Sequence, residues 1–206
     1  MKKKNKTLEK KRLELLNLSI SIVSSSGWNN LLFKKISKQK KISINKLELL
    51  YPNGYIDMIK FMFLNLNNEL KFKCKEYDLI NIPIHKRIRK IILTNFIIMN
   101  KNKNFYKKTF FHLLIPGNNR ILFKELSKTV NIMWYIANDK STDFNFYTKR
   151  ATLLTIYFPL LIFFFNNSNL IELEKKLDEK LGKVSKIPII KNKLKTYLNF
   201  VPSFFK

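Results

Sequence analysis

Residues with chemistry to offer are few in this chain, and they do not converge. The two histidines, His85 and His112, stand far apart and without acidic or thiol companions at ligand spacing, too few and too poorly accompanied for a metal site. No Glu-x-x-His pair and no glycine-rich phosphate loop occurs in the sequence, so neither a di-iron or zinc site nor a nucleotide cradle is indicated. Asp139 and Asp143 lie four apart and could in principle act as an acid and a base. With Ser141 and Thr142 between them they read more simply as the capping groups of a turn. A single cysteine, Cys74, excludes an intramolecular disulfide framework and suits a reducing compartment. The sequence therefore assigns no catalytic residue, no metal ligand and no cofactor, and a non-enzyme is expected.

The elements that hold these residues are helical. Of the 206 residues 46% are apolar, enough for one core, while four glycines and six prolines leave little turn material for a β fold. Apolar residues recur at three- and four-residue spacing, so an all-α fold is expected. The net charge is +26, from 40 Lys and Arg against 14 Asp and Glu. Such an excess points to a polyanion, either nucleic acid or an anionic membrane surface. The richness in Lys, Asn, Ile and Phe also suits an AT-rich coding sequence, which would supply charge without a partner.

Residues 1–12 form a basic leader expected to be disordered. A signal peptide is rejected because Glu14 and Asn17 interrupt the apolar run. Leu15, Leu16, Ser19, Ile20 and Val23 instead make the stripe of a first helix ended by Gly27. Next comes a helix-turn-helix: Leu31, Leu32, Phe33 and Ile36, a break at Lys40-Lys41-Ile42, then Ser43 capping a helix with Ile44, Leu47 and Leu50 inward. This unit, residues 13–54, resembles the N-terminal module of the TetR family of repressors. Lys34, Lys35, Lys38, Lys40, Lys41 and Lys46 surround it and would suit phosphate contact. Asn45 and Lys46 are its obvious base-reading residues, so a retained scaffold is preferred to an operator reader and specific DNA binding is not expected.

Residues 55–182 read as a helical core. Ile56, Ile59, Phe63, Leu66 and Leu70 line one helix; Ile84, Ile88, Ile91, Ile92 and Phe96 line the next, opened by Pro83. His85, Lys86, Arg87, Arg89 and Lys90 on its other sides read as a solvated face. After the break at Pro116-Gly117, Leu122, Leu126, Val130, Met133 and Ala137 form a clean stripe beside Trp134. The following helix carries Phe144, Tyr147, Ala151, Leu154, Phe158, Leu161 and Phe165 on one face, with Leu153, Ile156, Leu160 and Phe164 opposite. Its apolar part is about fifteen residues, short of the roughly twenty of a membrane span, and Pro159 inside it predicts a kink. A buried, bent central helix is expected, either filling a core or lining a ligand cavity.

Residues 183–206 comprise a linker and an amphipathic helix. Ile190, Leu194, Tyr197, Leu198 and Val201 share one side, flanked by Lys191, Lys193 and Lys195. The pattern is that of an interfacial membrane helix, with docking onto its own domain or a dimer partner as the alternative.

The segment from residue 133 to 157 has the most specific order of residues: Met133-Trp134, the turn Asp139 to Asp143, Asp143-Phe144-Asn145, Tyr147-Thr148 and Arg150-Ala151. It resembles the signature of the coenzyme Q (ubiquinone) biosynthesis protein nine family, and weaker resemblance runs from about Leu13 to the C-terminus. The resemblance implies a TetR-like fold enclosing a hydrophobic pocket for isoprenoid lipids such as polyprenyl quinone intermediates. Phe96, Phe111, Leu114, Met133, Ala137, Phe144, Tyr147, Leu154, Phe158 and Leu161 would be its lipid-binding residues. It implies docking of a di-iron demethoxyubiquinone hydroxylase on Met133, Trp134, Asp143, Phe146, Tyr147 and Arg150, and membrane binding by the C-terminal helix. Phe146 stands where the family usually has Trp, and Asn131 and Ile132 replace an acidic pair, which removes polar partners and an indole donor.

The functional expectation is a lipid-binding accessory protein of ubiquinone biosynthesis, peripheral on the inner face of the cytoplasmic membrane, or on the matrix side of the mitochondrial inner membrane if organellar. A homodimer is among the expected partners. The alternative is a TetR-type transcriptional regulator with a hydrophobic ligand pocket.

Overall fold

The computed structural model describes residues 2–79, 81–167 and 169–185, which form nine α-helices and no strand. In chain order these are α1 (Lys2–Ser26), α2 (Leu32–Lys40), α3 (Ile44–Leu50), α4 (Tyr55–Cys74), α5 (Ile84–Asn100), α6 (Lys103–Leu114), α7 (Asn119–Ile136), α8 (Asp143–Asn166) and α9 (Leu170–Ser185). The expected all-α class is what the chain adopts. The C-terminal residues expected to meet a membrane, Ile190, Lys191, Leu194, Lys195, Tyr197, Leu198 and Val201, lie outside the described residues.

The basic leader is helical from Lys2 onward, contrary to the expected disorder. No Gly or Pro occurs before Gly27, and Lys, Leu and Glu are good helix formers, so nothing breaks α1 until Gly27 at φ 70°. Lys41, at φ 52°, takes the left-handed conformation that turns α2 into α3, and its N–H donates to the Ser37 carbonyl. Leu32, Phe33, Ile36 and Leu47 are buried there, but Leu31 and Ile44 are exposed, so this unit hides fewer apolar residues than their spacing suggested. Trp28 joins it to the rest: its indole N–H donates to Thr109 Oγ1 at 2.9 Å and its ring packs on Tyr55 and Phe105.

Helix α4 packs on α5 and α7, and α8 on α7 and α9. The predicted stripes of α4 and α5 are buried, apart from Ile56, which is half-buried, and Ile84 at the start of α5, which is exposed. The α7 stripe Leu122, Leu126, Val130, Met133 and Ala137 is wholly inside. The basic run on α5 is more than a solvated face. Arg89 pairs with Asp178 and Glu174 of α9 at 2.5 and 3.1 Å, and Lys90 lies 4.0 Å from the Tyr77 ring centre. Arg87 donates to the Ala137 carbonyl at 3.0 Å, closing the end of α7. Cations beside the free carbonyls of a helix C-terminus are favoured there.

Helix α8 runs unbroken through Pro159 and is long and apolar enough, by length and composition, to cross a membrane. Less than half of that apolar window is buried in the fold. The buried line is Leu153, Ile156, Tyr157, Leu160, Leu161, Phe164 and Phe165. The face expected to point inward is therefore rotated outward at its start. Phe144 and Tyr147 are 73% and 71% exposed, Ala151 is exposed, and Leu154 and Phe158 are half-buried.

Candidate functional site

The signature residues meet at the corner between α7 and α8. Helix α7 ends in a Schellman motif: Asn138 sits at φ 59°, its N–H donating to the Tyr135 carbonyl, while the Asp139 N–H donates to the Trp134 carbonyl at 3.1 Å. Asn tolerates the left-handed region better than most residues, and this places Asp139 immediately after the turn. Its side chain is only 2% exposed.

Three groups converge on that carboxylate. Lys149 Nζ donates to Oδ1 at 2.8 Å and also to the Ser141 hydroxyl; Ser141 Oγ–H donates to Oδ1; and Arg150 Nη1 donates to Oδ2 at 3.3 Å. Burial by itself would raise the pKa of Asp139. Hydrogen bonds from Lys149 and Ser141, with the Lys149 charge, outweigh burial and hold the carboxyl below its ordinary value. The expected capping of the turn is present, since the Ser141 N–H donates to Asp139 Oδ1 at 3.3 Å, and a buried ion-pair clasp is added to it.

The clasp fixes the aromatics around it. Arg150 lies 3.3 Å from the centre of the Phe146 ring, donates to the Phe146 carbonyl at 2.9 Å, and reaches Asn131 Oδ1 at 2.8 Å. Trp134 donates its indole N–H to the Lys149 carbonyl at 3.2 Å beneath the Lys149 ammonium. Tyr135, Phe144 and Tyr147 project outward, each more than 70% exposed. Exposed aromatics are what a protein interface uses as anchors. Of the residues expected at a docking surface, Trp134, Phe146, Tyr147 and Arg150 gather here. Met133 does not: it is fully buried and packs in the core. The side chain of Asp143 lies outside the described residues.

The expected lipid-binding residues divide into an inner and an outer set. Phe96, Met133, Ala137 and Leu161 are buried, Leu114, Leu154 and Phe158 are half-buried, and Phe111, Phe144 and Tyr147 are exposed. Between α4, α5, α6, α7 and α8 the core holds a cavity of about 20 Å³, of whose lining only Leu161 was foreseen. Ligand pockets run to about 300 Å³ and more, so an isoprenoid chain does not fit this cavity. One polar pair sits beside it: Tyr157 O–H donates to Asn95 Oδ1 at 2.5 Å, both residues wholly buried. The outer set is more open. Phe158 stacks on Phe123 with ring centres 5.6 Å apart and packs on Phe110 at 5.7 Å, while Phe123 and Phe111 remain 46% and 37% exposed.

Among the described residues no three His, Cys, Asp or Glu side chains group closely enough to hold a metal ion. His112 is half-buried against Tyr55 at 5.5 Å, and burial lowers its pKa. Cys74 is buried, which pushes its thiol up to about 11.

Comparison with known proteins now bears on this corner. A family model described as COQ9 matches residues 120–188, which include the clasp, the exposed aromatics and all of α8. The likeness to the COQ9 family lies in residues 120–188. The chain is 49% identical over 45 residues to "Ubiquinone biosynthesis protein COQ9, mitochondrial" of Rattus norvegicus and 47% identical over 45 residues to the Homo sapiens protein of the same name, in each case over 22% of this chain and 14% of the relative. The Bos taurus protein of that name is 42% identical over 52 residues, 25% of this chain and 16% of the relative. The chain thus spans about one seventh of the length of the curated relatives it matches. The family match begins at residue 120, well after the Leu13 from which weaker resemblance was expected.

Sequence reading missed the clasp because Asp139, Lys149 and Arg150 are separated by a helix start. A usable signal was present: Asn138-Asp139 after a helical stripe marks a left-handed cap followed by a carboxylate, and Lys149-Arg150 lie about two turns into the next helix.

Proposed function

We propose that this chain is a non-catalytic lipid-binding accessory protein of ubiquinone biosynthesis, which takes a polyprenyl quinone intermediate or related isoprenoid at a membrane surface and presents it to a hydroxylase. The observation that carries the reading is α8, which lies within the COQ9-matching segment and leaves its aromatic side half-covered. Leaving a bilayer costs a long isoprenoid about 0.8 kcal/mol per methylene. An apolar surface built of Phe158, Phe123, Phe111 and Leu154 offsets that cost, and the tail lies along this surface rather than in the 20 Å³ core cavity.

The Asp139 clasp holds the exposed aromatics of the neighbouring corner as a docking surface for the di-iron demethoxyubiquinone hydroxylase. Tyr135, which the sequence comparison did not single out, belongs to that surface with Phe144 and Tyr147. The working location is the inner face of the cytoplasmic membrane or the matrix side of the mitochondrial inner membrane. The mitochondrial names of the curated relatives favour the second.

A vesicle transfer assay tests the reading. The chain should speed movement of a polyprenyl quinone from donor to acceptor vesicles, and Phe158→Glu, which puts a charge on the apolar face, should abolish the effect while helical content is kept. Equal transfer by both proteins would contradict it.

A second reading, a TetR-type regulator, is favoured by one observation. Lys34, Lys35, Lys38, Lys40, Lys41 and Lys46 around α2 and α3 are all exposed, as is Asn45. Lys and Asn side chains on a short second helix can meet phosphate and base edges, although phosphate contacts alone carry no sequence information.

A further inference from the structure

A cleft of about 420 Å³ opens between α1, α4 and α7, and it adjoins the clasp through Asn131, which lines it and accepts from Arg150. Its volume falls within the range of small-molecule sites. The floor contains Asn67, which is 3% exposed and whose Oδ1 has no hydrogen-bond partner. Buried polar groups are almost always satisfied, and an orphan is costly to the fold unless something outside the chain meets it. A second orphan lines the same cleft. Among the described residues Arg12 Nε is buried without a hydrogen-bond partner and the guanidinium pairs with no carboxylate; it lies 4.3 Å from the Phe61 ring centre and 4.8 Å from that of Tyr51, whose side chain it also meets by a hydrogen bond.

The remaining lining defines the ligand. Glu125, whose side chain is 4% exposed, is answered by Lys128 at 2.7 Å, and Asp57 by Lys60 at 3.1 Å, so both carboxylates already have cations. Arg12 is the cation left over. Phe61, Leu64 and Ile132 supply the apolar wall.

We propose that this cleft is a binding site for a small amphipathic anion. Its carboxylate or phosphate group would meet Arg12, with Lys60 and Lys128 at the rim, its apolar body would lie on Phe61 and Leu64, and a hydroxyl or N–H would donate to Asn67 Oδ1. One molecule carrying both an anionic acceptor and a donor would satisfy the orphan donor and the orphan acceptor of this cleft together. A soluble metabolite and the head group of an anionic lipid share this chemistry.

Isothermal titration of the full chain tests it with three probes: 4-hydroxyphenyl phosphate for the soluble source, short-chain phosphatidylglycerol below its micelle concentration for the lipid source, and inorganic phosphate alone. One of the two amphipathic probes should bind at least about tenfold more tightly than inorganic phosphate, the discrimination expected of a buried hydrogen bond and an apolar wall together. Asn67→Leu and Arg12→Gln should each cost that probe about tenfold, while Lys175→Gln, at an exposed position on α9, should leave it unchanged. Asn67→Leu should also hold or raise the thermal midpoint, because it removes an unsatisfied group from the interior; a purely structural Asn67 would lower it. If Asn67→Leu fails to fold, Arg12→Gln decides by the same titration. Equal binding of all three probes, no binding of either amphipathic one, or affinity unchanged in the variants would overturn the proposal.

Discussion

Asp139→Asn should loosen the α7–α8 corner without unfolding the chain. The substitution keeps size and shape but removes the charge that Lys149 and Arg150 share, in a position whose side chain is 2% exposed. Removing one partner of a buried ion pair typically costs about 3–5 kcal/mol, because the other charge is stranded. Lys149, at 40% exposure, can turn to water, and Arg150 keeps the Phe146 carbonyl and Asn131. The loss should therefore sit below that range, at about 2–3 kcal/mol. For a chain of this size that lowers the thermal midpoint by roughly 4–12 °C. Circular dichroism melts of the wild type, Asp139→Asn, Lys149→Met and the double variant measure it and yield the coupling. The pH dependence gives a second handle. Asp139 has a folded pKa below its unfolded value, so its contribution is present above about pH 4 and fades as the pH falls through the folded pKa. The gap between wild type and Asp139→Asn should therefore close on acidification below about pH 4. A change within about 0.5 kcal/mol at neutral pH, the range of ordinary surface substitutions, would refute the clasp.

Other outcomes follow from the same geometry. Deleting residues 187–206, or changing Leu194 and Leu198 to Glu, should release the chain from anionic liposomes with helical content nearly intact, whereas added salt should weaken binding only in part; undiminished binding by the deletion would sink the interfacial assignment. Phe144→Lys with Tyr147→Lys, both on exposed positions, should leave thermal stability within about 0.5 kcal/mol yet break pull-down of the hydroxylase. Trp134→Ala should cost stability as well as docking, since it also removes the N–H bond to the Lys149 carbonyl. Selection from random duplexes should yield only salt-sensitive, sequence-blind association; an enriched palindrome lost on mutating Asn45 and Lys46 would favour the regulator reading.

The fold was legible where one period dominated. The α7 stripe from Leu122 to Ala137 has a polar opposite face, so its burial follows from spacing alone. Helix α8 was legible as a helix but not in its facing, because apolar residues on all sides give no moment to orient it. Phe144 and Tyr147 were placed inward for that reason, whereas the clasp at Lys149 and Arg150 pins the opposite rotation. The basic run on α5 misled differently. Its charges look solvated until the chain returns with Glu174 and Asp178 on α9, a long-range pairing that local spacing cannot reveal. The signature segment announced its family because it depends on residue types in order, but its physical centre, a buried Asp139 served from the next helix, needed three dimensions.

The most direct test of the central claim is native mass spectrometry of the full chain purified from a quinone-making host, with extracted lipids identified. The account predicts an isoprenoid or polyprenyl quinone bound to the wild type and absent from Leu154→Glu and Phe158→Glu variants that keep their helical content. A wild-type chain free of such lipid, or variants that retain it in equal amount, would contradict it.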